Sequence, residues 1–521
     1  MSHDERGATF RLQILLAVLF AGFVAKDVEA TLPAFPGAVG QGAAATGGRG
    51  GDVYHVINLR DYRSDSEEKI DGSLRHAIRS ASGPRTIVFD VGGAIQLRET
   101  LEIRKNNLTI AGHTAPGGIT VWGYPVEISG ASDVVVRYLR VRVGDFNVRA
   151  SGKQQNAAVE PESKGAKDLD PRTANGLDIG RANRVIVDHV SVAWGLDETL
   201  SVTRSRDVTV QNSIIAESLN ESFHPKGSHG YGSLLRGELT PADQEAGVGG
   251  YTFYQNLWAH HRARNPSIGG QQQLDDGQAQ ANRRRTDVNL INNVIYNWAD
   301  QPTHRSELGE VRINFVGNYF VNGPAKKSDY IFNEDDPART VLFHRDNMLD
   351  TDQDAEHDGI AVGRVNDIKR TFRRFDAKDL LAGPTHGKPL EFFASVADYV
   401  TSPEQAYSRV VRSCGASLPR DAIDQRVIDS LVERSGALID SQESLRNANS
   451  VLAGIDDILT ARRPDNFDTD RDGMPNEFEL KHGLNPDDPA DGNGKGLSDA
   501  AYTNLEVYLN ELAETAAPQI R

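Results

Sequence analysis

Residues 184–192, RVIVDHVSV, are followed at residues 207–215 by a near copy, DVTVQNSII. Each copy alternates β-branched residues with polar ones and then reaches a polar pair, which is typical of a half-buried strand that ends in a turn. The closing residues His189 and Asn212 lie 23 residues apart. A strand motif repeated at so short an interval predicts a stack of similar structural units.

The same motif occurs along much of the chain. Its copies close at Gly112, Tyr138, His189, Asn212, Asn256, Asn293 and Asn318. Where the copies are closest they are 23 to 26 residues apart, which is too short for a propeller blade and matches one coil of a parallel β-helix. We expect asparagines at the same place in successive coils to form a hydrogen-bonded ladder. An ordinary antiparallel β-domain is the alternative, because similar alternation occurs in sandwiches.

Composition and charge restrict the class of protein. The chain has 521 residues, 49 glycines and one cysteine, Cys414, with a net charge of −16. This length predicts more than one domain, and a single cysteine excludes an internal disulfide framework, so Cys414 is interpreted as a core residue. The negative charge argues against nucleic acid as a partner. It would also repel an acidic polymer unless local cations counter the field.

Four regions are predicted. Residues 12–25 are apolar and residues 28–30, VEA, resemble a cleavage site, so residues 1–30 are interpreted as an export signal. A membrane anchor is the alternative, although a bilayer span needs about 20 apolar residues. Residues 31–353 form the predicted β-helix, 354–465 a helical extension, and 466–521 a calcium-binding module. We expect a secreted monomer that does not contact membranes once the signal is removed.

The extension contains two amphipathic patterns, SPEQAYSRVVRSCG and RDAIDQRVIDSLVERSG. Ser402 and Asp421 are the predicted N-caps of these helices. We expect the helices to pack on the end of the solenoid and to cover its open edge.

Three intervals in the repeat are too long for one coil. They separate Tyr138 from His189, Asn212 from Asn256, and Asn256 from Asn293. The excess residues must leave the solenoid as loops, and long loops on consecutive coils tend to gather on one face and to form a groove. We expect the functional site in that groove.

Three carboxylates lie near the start of this region. Asp188 closes one strand, and Asp197 and Glu198 lie in the turn that follows. Oxygen ligands without sulfur or clustered imidazole favour a hard cation such as calcium. Hydrogen-bonded turn caps are the alternative interpretation of these acids.

Two cations follow the acids. Lys226 lies in HPKGSHGYGS, and Arg264 lies in HHRARNPSIGG at residues 260–270. A lysine near glycine and histidine is usually a solvated loop residue, and an arginine is more often an ion-pair partner than a catalyst. Together with the carboxylates, however, they predict a site for an anionic ligand.

At these residues the chain resembles a known family. The motifs VIVDH with Asp188, PKGSHGYG with Lys226, and the Arg-x-Pro of Arg264 and Pro266 are similar to polysaccharide lyase family 1, the pectate lyases. The opening FPGAVGQGAAATGGRGGDVYHVINL, with GSLRHAI and RTIVFDVGGAI, is also similar, and the resemblance extends from about residue 35 to about residue 346.

The resemblance implies a right-handed parallel β-helix, and cleavage of de-esterified homogalacturonan, an acidic polysaccharide, by calcium-dependent β-elimination. It implies that Arg264 is the proton-abstracting base, that Lys226 binds the substrate carboxylate and that Asp188 binds calcium. We therefore predict Arg264 and Lys226 as catalytic residues, and Asp197 and Glu198 as further calcium ligands. Arg262 and His229, in the same segments, are predicted to bind substrate together with Lys226.

Two positions depart from the family pattern. The family has an acidic pair four residues apart, whereas Asp197 and Glu198 are adjacent and are followed at that spacing by Ser201 and Val202. The family's second arginine, five residues after the first, corresponds to Gly269. Its role is assigned to Arg262 or to the arginines at 283–285.

The chemistry explains why these residue types belong together. β-Elimination removes the proton at C5 of a galacturonate, next to its carboxylate, and the carbanion needs its charge spread into that group. Calcium and a lysine beside it would neutralise the carboxylate where negative charge grows. An arginine base must lose a proton that arginine normally keeps in water, and neighbouring cations favour the neutral form.

A second calcium motif lies near the C-terminus. DTDRDGMPNEFE, residues 468–479, matches the EF-hand loop pattern, with Gly473 at the bend. The predicted ligands are Asp468, Asp470, Asp472 and Glu479. The alternative is an acidic linker before the helical pattern AAYTNLEVYLNELA. We expect this module to stabilise or dock the enzyme.

Two other functions stay open from the sequence. A polygalacturonase-type hydrolase would need paired carboxylates as acid and base and no calcium. A non-catalytic pectin-binding protein is the other alternative, because the second arginine is missing at Gly269.

Overall fold

Three parallel sheets built from short strands form the solenoid. The structure, a computed structural model, describes residues 32–149, 167–270, 284–306, 309–334, 340–354, 356–363, 368–374 and 387–514. The predicted export signal and most of the loop after residue 150 lie outside the described residues.

The strands, in chain order, are β1 Asp52–Val56, β2 Arg85–Phe89, β3 Val91–Gln96, β4 Leu101–Ile103, β5 Leu108–Ala111, β6 Ile119–Trp122, β7 Val126–Ser129, β8 Ser132–Arg137, β9 Leu139–Arg142, β10 Leu177–Gly180, β11 Asn183–Asp188, β12 Ser191–Ala193, β13 Glu198–Thr203, β14 Arg206–Gln211, β15 Ile214–Ala216, β16 Tyr231–Arg236, β17 Tyr251–Tyr254, β18 Leu257–Ala259, β19 Ser267–Gly269, β20 Arg285–Ile291, β21 Val294–Tyr296, β22 Thr303–Ser306, β23 Glu310–Val316, β24 Tyr319–Val321, β25 Phe332–Glu334, β26 Thr340–Arg345, β27 Met348–Asp350, β28 Ile360–Ala361, β29 Phe372–Arg373 and β30 Ala461–Arg462.

The helices are α1 Leu74–Arg79, α2 Pro241–Glu245, α3 Ile368–Thr371, α4 Pro403–Ser413, α5 Ala422–Glu433, α6 Asn476–His482 and α7 Asn504–Glu514.

Each coil contributes one strand to each sheet. Sheet A has the order β1-β2-β5-β8-β11-β14-β17-β20-β23-β26, sheet B has β28-β27-β24-β21-β18-β15-β12-β9-β6-β3-β30, and sheet C has β29-β25-β22-β19-β16-β13-β10-β7-β4. The chain therefore passes repeatedly from A to B to C, and neighbouring coils pair in parallel. This confirms the predicted parallel β-helix. Sheet C ends at β29, which lies within the predicted extension.

Identical register stacks apolar side chains inside the solenoid. Val185 pairs with Val134 on one side and Val208 on the other, and all three are fully buried. Because side chains alternate across a strand, an in-register stack repeats the same inward row in every coil. The core is therefore one continuous apolar column, as expected of stacked coils.

The predicted asparagine ladder runs through four coils. Asn256 Nδ2 donates to Asn293 Oδ1 at 3.1 Å, Asn293 donates to Asn318 at 3.0 Å, and Asn318 donates to Asn347 at 3.0 Å. Asn212, which the repeat aligned with them, donates to Asp188 instead. The ladder satisfies amides that the turn between sheets A and B would otherwise bury without partners.

The glycine-rich opening lies against sheet A. Gly42 N donates to Thr209 Oγ1 at 2.9 Å, and Val39 N donates to Gln211 Oε1 at 3.1 Å. A Cβ atom on Gly42 would lie 2.2 Å from Val185 O, so only glycine permits this approach. The segment covers the outer surface of the sheet.

Helices α4 and α5 begin after Ser402 and Asp421, as predicted, and each cap side chain accepts a backbone N–H. Their apolar faces pack against the outer side of sheet B, with Cys414 in the same buried cluster. The prediction that they cover the end of the solenoid is therefore wrong. Strands such as β15 and β18 are apolar at every position, which is typical of a strand buried on both faces.

Ion pairs hold this helical layer to the solenoid. Arg426 donates to Glu217 at 2.7 Å, and Arg434 donates to Asp350 at 2.8 Å. Both partners of the Arg434–Asp350 pair are buried, so this pair is poorly screened by solvent, whereas the Arg426 side chain is 41% exposed.

The last described segment covers the first coils. β30 pairs antiparallel with β3, and α7 lies along the residues that follow β5, where His113 Nε2 is 3.0 Å from Leu509 O. Met474 and Leu505 share a buried cluster with Ala111. Among the described residues, we find no helix with the length and apolarity needed for a membrane span.

Candidate active site

The charged residues predicted between 197 and 264 lie at one turn of the solenoid, repeated over three coils. The chain crosses from sheet B to sheet C between β12 and β13, between β15 and β16, and between β18 and β19. These three connections carry Asp197, Lys226, His229, Arg262 and Arg264. Glu198 opens β13 and pairs with Tyr231 at the start of β16, and Tyr231 bridges to Ala263. The register therefore places the predicted residues beside one another.

Arg264 is held between a carboxylate and an aromatic ring. Its Nη1 forms an ion pair with Glu198 Oε1, and its guanidinium lies 4.0 Å from the centre of the Tyr231 ring. The Glu198 side chain is 5% exposed and that of Arg264 is 25% exposed. A buried carboxylate and an aromatic face fix the planar group, and part of it stays open to a ligand.

Two stacked imidazoles form the next part of the site. His229 Nε2 lies 2.8 Å from Asp197 Oδ1, and the His229 ring stacks on His224 with centroids 3.6 Å apart. Burial, together with the charge of His229, lowers the pKa of His224 to about 4. His224 is therefore neutral near pH 7, and Asp197 is oriented by His229.

Two further cations belong to this turn. Lys226 is exposed, and its Nζ makes no hydrogen bond or ion pair with a described residue. Arg262 Nε donates to Asp300 Oδ2 at 2.6 Å while its side chain is 33% exposed. The Lys226 ammonium, which has no partner among the described residues, lies at the same turn as the guanidinium groups of Arg262 and Arg264. These three charges can attract an anion locally in spite of the protein's negative net charge.

The adjoining outer face of sheet C carries acids that the sequence analysis did not single out. Asp178 pairs with Glu127 on one side and with Ser201 on the other. Asp178 Oδ1 and Ser201 Oγ are buried and have no hydrogen-bond partner. Burial, with the charges of Glu127 and Asp197, raises the pKa of Asp178 to about 6. In the sequence, Asp178 could have been recognised as an acid that alternates with the apolar residues Leu177 and Ile179 of a strand.

Asp188 does not join this site. It ends β11 at the turn from sheet A to sheet B, and β12 separates it from Asp197. It accepts hydrogen bonds from Arg137, Gln211 and Asn212 and is 1% exposed. The prediction that Asp188 shares a cation with Asp197 and Glu198 is therefore wrong, because its oxygens already have protein partners on another side of the solenoid.

The same contacts explain the charge of Asp188. Burial alone would raise its pKa, but His189 and Arg137 hold the pKa of Asp188 below its ordinary value. Arg137 also donates to Asn510 Oδ1 at 3.1 Å. Asp188 is thus a structural residue that links two coils and helix α7.

The position of the family's second arginine is Gly269, which ends β19 and pairs in register with Arg236 of β16. Arg285 opens β20 in sheet A, where it lies 2.9 Å from Asp287; Arg284 pairs with Glu238, and residue 283 lies outside the described residues. Of the two predicted replacements, Arg262 is the one at the turn that carries Arg264.

The long insertions leave the solenoid at two different turns. Residues 143–176 and 217–230 connect sheet B to sheet C, whereas residues 237–250 and 270–284 connect sheet C to sheet A. Residues 150–166 and 271–283 of these insertions lie outside the described residues. The prediction of a single looped face is wrong, because the excess residues are divided between the two turns.

The residues beside Arg264 fit a hard cation. Asp178 and Ser201 offer side-chain oxygens on the adjacent strands β10 and β13, and Asp197 lies in the turn before β13. Asp178 Oδ1 and Ser201 Oγ are buried without a hydrogen-bond partner among the described residues. Calcium prefers such an oxygen set. A second group contains two imidazoles and one carboxylate, from Asp197, His224 and His229, and imidazole ligands suit a softer metal than calcium. The hydrogen bond between Asp197 and His229 already explains why these side chains lie together.

The predicted C-terminal ligands also come together. Carboxylate oxygens of Asp468, Asp470 and Asp472 lie within 4.8 Å of one another, and so do those of Asp472, Glu479 and Asp491. Asp491 was not among the predicted ligands, because it lies beyond the loop motif.

The geometry defines a parallel β-helix protein with a cationic site over sheet C. Lys226, Arg262 and Arg264 lie at the turn into this sheet, and Asp178 and Ser201 lie on its strands. Cations and oxygen donors on neighbouring coils suit an acidic ligand. No family model matches the sequence. Similar proteins are found among curated sequences and solved structures.

A probable pectate lyase C of Emericella nidulans is 32% identical over 485 residues, which cover 92% of this chain and 93% of that protein. A probable pectate lyase C of Aspergillus fumigatus is 32% identical over 511 residues, covering 96% and 98%. The structure of the major allergen from cedar pollen is 17% identical, with a TM-score of 0.45, and covers 72% of this chain and 91% of that chain. The chain belongs to the pectate lyase family and is a polysaccharide lyase.

Proposed function

We propose that this protein is a secreted, calcium-dependent pectate lyase that cleaves de-esterified homogalacturonan to unsaturated oligogalacturonates. The observation that carries the proposal is the placement of Lys226 and Arg264 at the turn from sheet B to sheet C, on the two coils that follow the buried oxygens of Asp178 and Ser201, which have no hydrogen-bond partner among the described residues. The names of the 32% identical relatives support pectate as the substrate.

The substrate's carboxylates are the groups that these residues recognise. Lys226 binds the carboxylate of the reacting galacturonate, because its ammonium is exposed and unpaired among the described residues. Arg262 lies at the same turn and contacts a neighbouring sugar. Charge-assisted hydrogen bonds of this kind orient an anionic polymer across the sheet. His229, predicted to bind substrate, is buried and instead orients Asp197.

Arg264 acts as the base. It takes the C5 proton, the electron pair forms the C4=C5 double bond, the bond from C4 to the glycosidic oxygen breaks, and that oxygen leaves to be protonated by water. Glu198 and Tyr231 hold the guanidinium in place, which makes them positioning residues.

Asp178, Asp197 and Ser201 are the residues that would hold calcium beside this base. When bound there, calcium supplies Lewis-acid stabilisation of the negative charge that develops on the substrate carboxylate. Export is supported by the apolar run at residues 12–25 and the small residues before position 31.

The test measures ultraviolet absorbance of unsaturated product from polygalacturonate, with calcium and with a chelator, for the native chain and for Arg264→Ala. We expect product only with calcium, and a turnover about 10²- to 10⁴-fold lower for Arg264→Ala, with pectate binding retained. Arg345→Ala, an exposed arginine on β26, is the matched control and should keep full turnover. Saturated products would indicate a hydrolase, and unchanged turnover of Arg264→Ala would refute the assigned base.

A further inference from the structure

The C-terminal acidic loop encloses carboxylate oxygens that have no hydrogen-bond partner among the described residues. Glu479 is completely buried, and neither of its carboxylate oxygens makes a hydrogen bond. Asp472 Oδ2 and Asp491 Oδ1 are also buried without a partner. Burying several anions without a counter-charge is strongly unfavourable, so this arrangement calls for a cation.

The geometry of the cluster fits one class of ion. Oxygens of Asp472, Glu479 and Asp491 lie within 4.8 Å of one another, and Asp468 and Asp470 extend the same group. All five donors are carboxylates, and hard divalent cations such as calcium prefer a set of oxygen ligands.

The backbone of the loop is already arranged for an ion. Asp468 Oδ2 accepts from Gly473 N at 2.9 Å, and Asp472 Oδ1 accepts from Met474 N at 2.9 Å. Asp468 Oδ1 also accepts from Arg471 N at 2.7 Å, whereas Asp472 Oδ2 has no hydrogen-bond partner among the described residues. Gly473 has a φ of 96°, a conformation that glycine adopts without strain and that closes the bend.

Asp491 comes from a different segment. It lies after helix α6, and its other oxygen, Oδ2, accepts from Asn485 N at 2.9 Å. Its main-chain oxygen accepts from Asn504 Nδ2 at 2.8 Å, at the start of α7. An ion held by both segments would therefore join the acidic loop to the beginning of helix α7.

The same loop docks on the first coil of the solenoid. His55 Nε2 is 3.2 Å from Arg471 O, while its Nδ1 is 2.9 Å from Asp90 Oδ1. Asn493 Nδ2 donates to Gly51 O at 3.0 Å. The loop and the segment that contains Asp491 thus each touch the solenoid, one on each side of the carboxylate cluster.

We propose that calcium bound by Asp468, Asp470, Asp472, Glu479 and Asp491 acts as a clamp that fastens the C-terminal cap, residues 461–514, to the first coils of the solenoid. The role of this ion is structural, and it is separate from the ion proposed beside Arg264. Without it, repulsion among the buried carboxylates separates the two segments and exposes the apolar surface shared by Met474, Leu505 and Ala111.

The experiment uses the full chain and calcium chloride alone. Thermal unfolding and limited proteolysis with mass spectrometry are measured with calcium and after chelation, for the native chain, Glu479→Gln and Asp491→Asn. We expect calcium to raise Tm and to protect the cap from cleavage, and each variant to lose at least about half of that rise together with the protection. Asp499→Asn, an exposed acid of the same module, should behave like the native chain.

The variant Asp178→Asn separates the two proposed ions. It should retain the calcium-dependent protection of the cap even if lyase activity falls, so failure of the catalytic proposal leaves this test intact. Full calcium-dependent protection in both Glu479→Gln and Asp491→Asn would overturn the clamp. If neither variant folds, calcium-independent cleavage of the native cap would overturn it equally.

Discussion

The role of a buried charged residue in this protein depends on whether its charge has an ion-pair or hydrogen-bond partner. Glu198 is buried but pairs with Arg264, and Asp188 is buried but accepts three hydrogen bonds. Asp178 and Glu479 are the opposite case, because each has a buried oxygen without a partner. At these two residues a cation would supply the missing partner. Among the described residues, Asp287 and Asp350 each have a buried oxygen without a hydrogen-bond partner too, but both residues form ion pairs with arginines.

Burial of Asp287, which lies outside the proposed ion and substrate sites, lowers the stability of the folded protein. Burial raises its pKa to about 6, in spite of Arg312 and Arg285. Between about pH 4 and pH 6 the folded chain keeps a proton that the unfolded chain has lost, so the free energy of unfolding falls as pH rises. Asp287→Asn should therefore raise the free energy of unfolding at pH 7 by about 1–3 kcal/mol, and the difference should vanish below about pH 4.

Denaturant unfolding across this pH range measures the effect. Asp65→Asn, an exposed acid, should leave the free energy of unfolding unchanged at every pH. A lower stability of Asp287→Asn at pH 7 would show that its ion pairs outweigh desolvation.

Individual elements are short, and their stability comes from stacking. Strands β12, β15, β18 and β21 have three residues each, which is too few to be stable alone. Asn293 links three coils: it accepts from Asn256 N at 3.0 Å and donates to Asn318 Oδ1 and to Phe253 O, both at 3.0 Å. A ladder residue therefore contributes to every coil that it touches.

Asn293→Ala should lower the free energy of unfolding by about 2–5 kcal/mol, because it leaves several buried donors and acceptors without partners. Thermal and denaturant unfolding are the measurements, with the exposed Asn449→Ala as the matched control. A loss no larger than that of the control would mean that the ladder adds nothing beyond packing.

The whole molecule combines a net charge of −16 with a local cationic turn. Lys226, Arg262 and Arg264 lie at the turn into sheet C, although Arg262 and Arg264 also pair with Asp300 and Glu198. Local cations of this kind would attract an acidic polymer that the net charge repels. The helical layer covers sheet B, and the opening segment covers sheet A.

A substrate without charge should lose this recognition. Highly methyl-esterified pectin offers no carboxylate to Lys226 or to calcium, so we expect kcat/KM to be roughly 10- to 100-fold lower than on polygalacturonate, the loss expected for one charged hydrogen bond. Initial rates on the two polymers measure the ratio, and the same pectin after chemical de-esterification is the control. A preference for the esterified polymer would contradict the proposed recognition.

The sequence by itself determined the coil, the asparagine ladder, both helix caps and the cations of the candidate site, because strand alternation and short motifs are local patterns. It could not distinguish Asp188 from Asp178. The chain turns from one sheet to the next after only a few residues, so acids close in sequence lie on different faces. Only the tertiary structure decided that Glu198 holds Arg264, that α4 and α5 cover sheet B, and that Asp491 completes the acidic cluster. Each of these contacts joins segments far apart in the chain, and their register is set by packing of the whole solenoid.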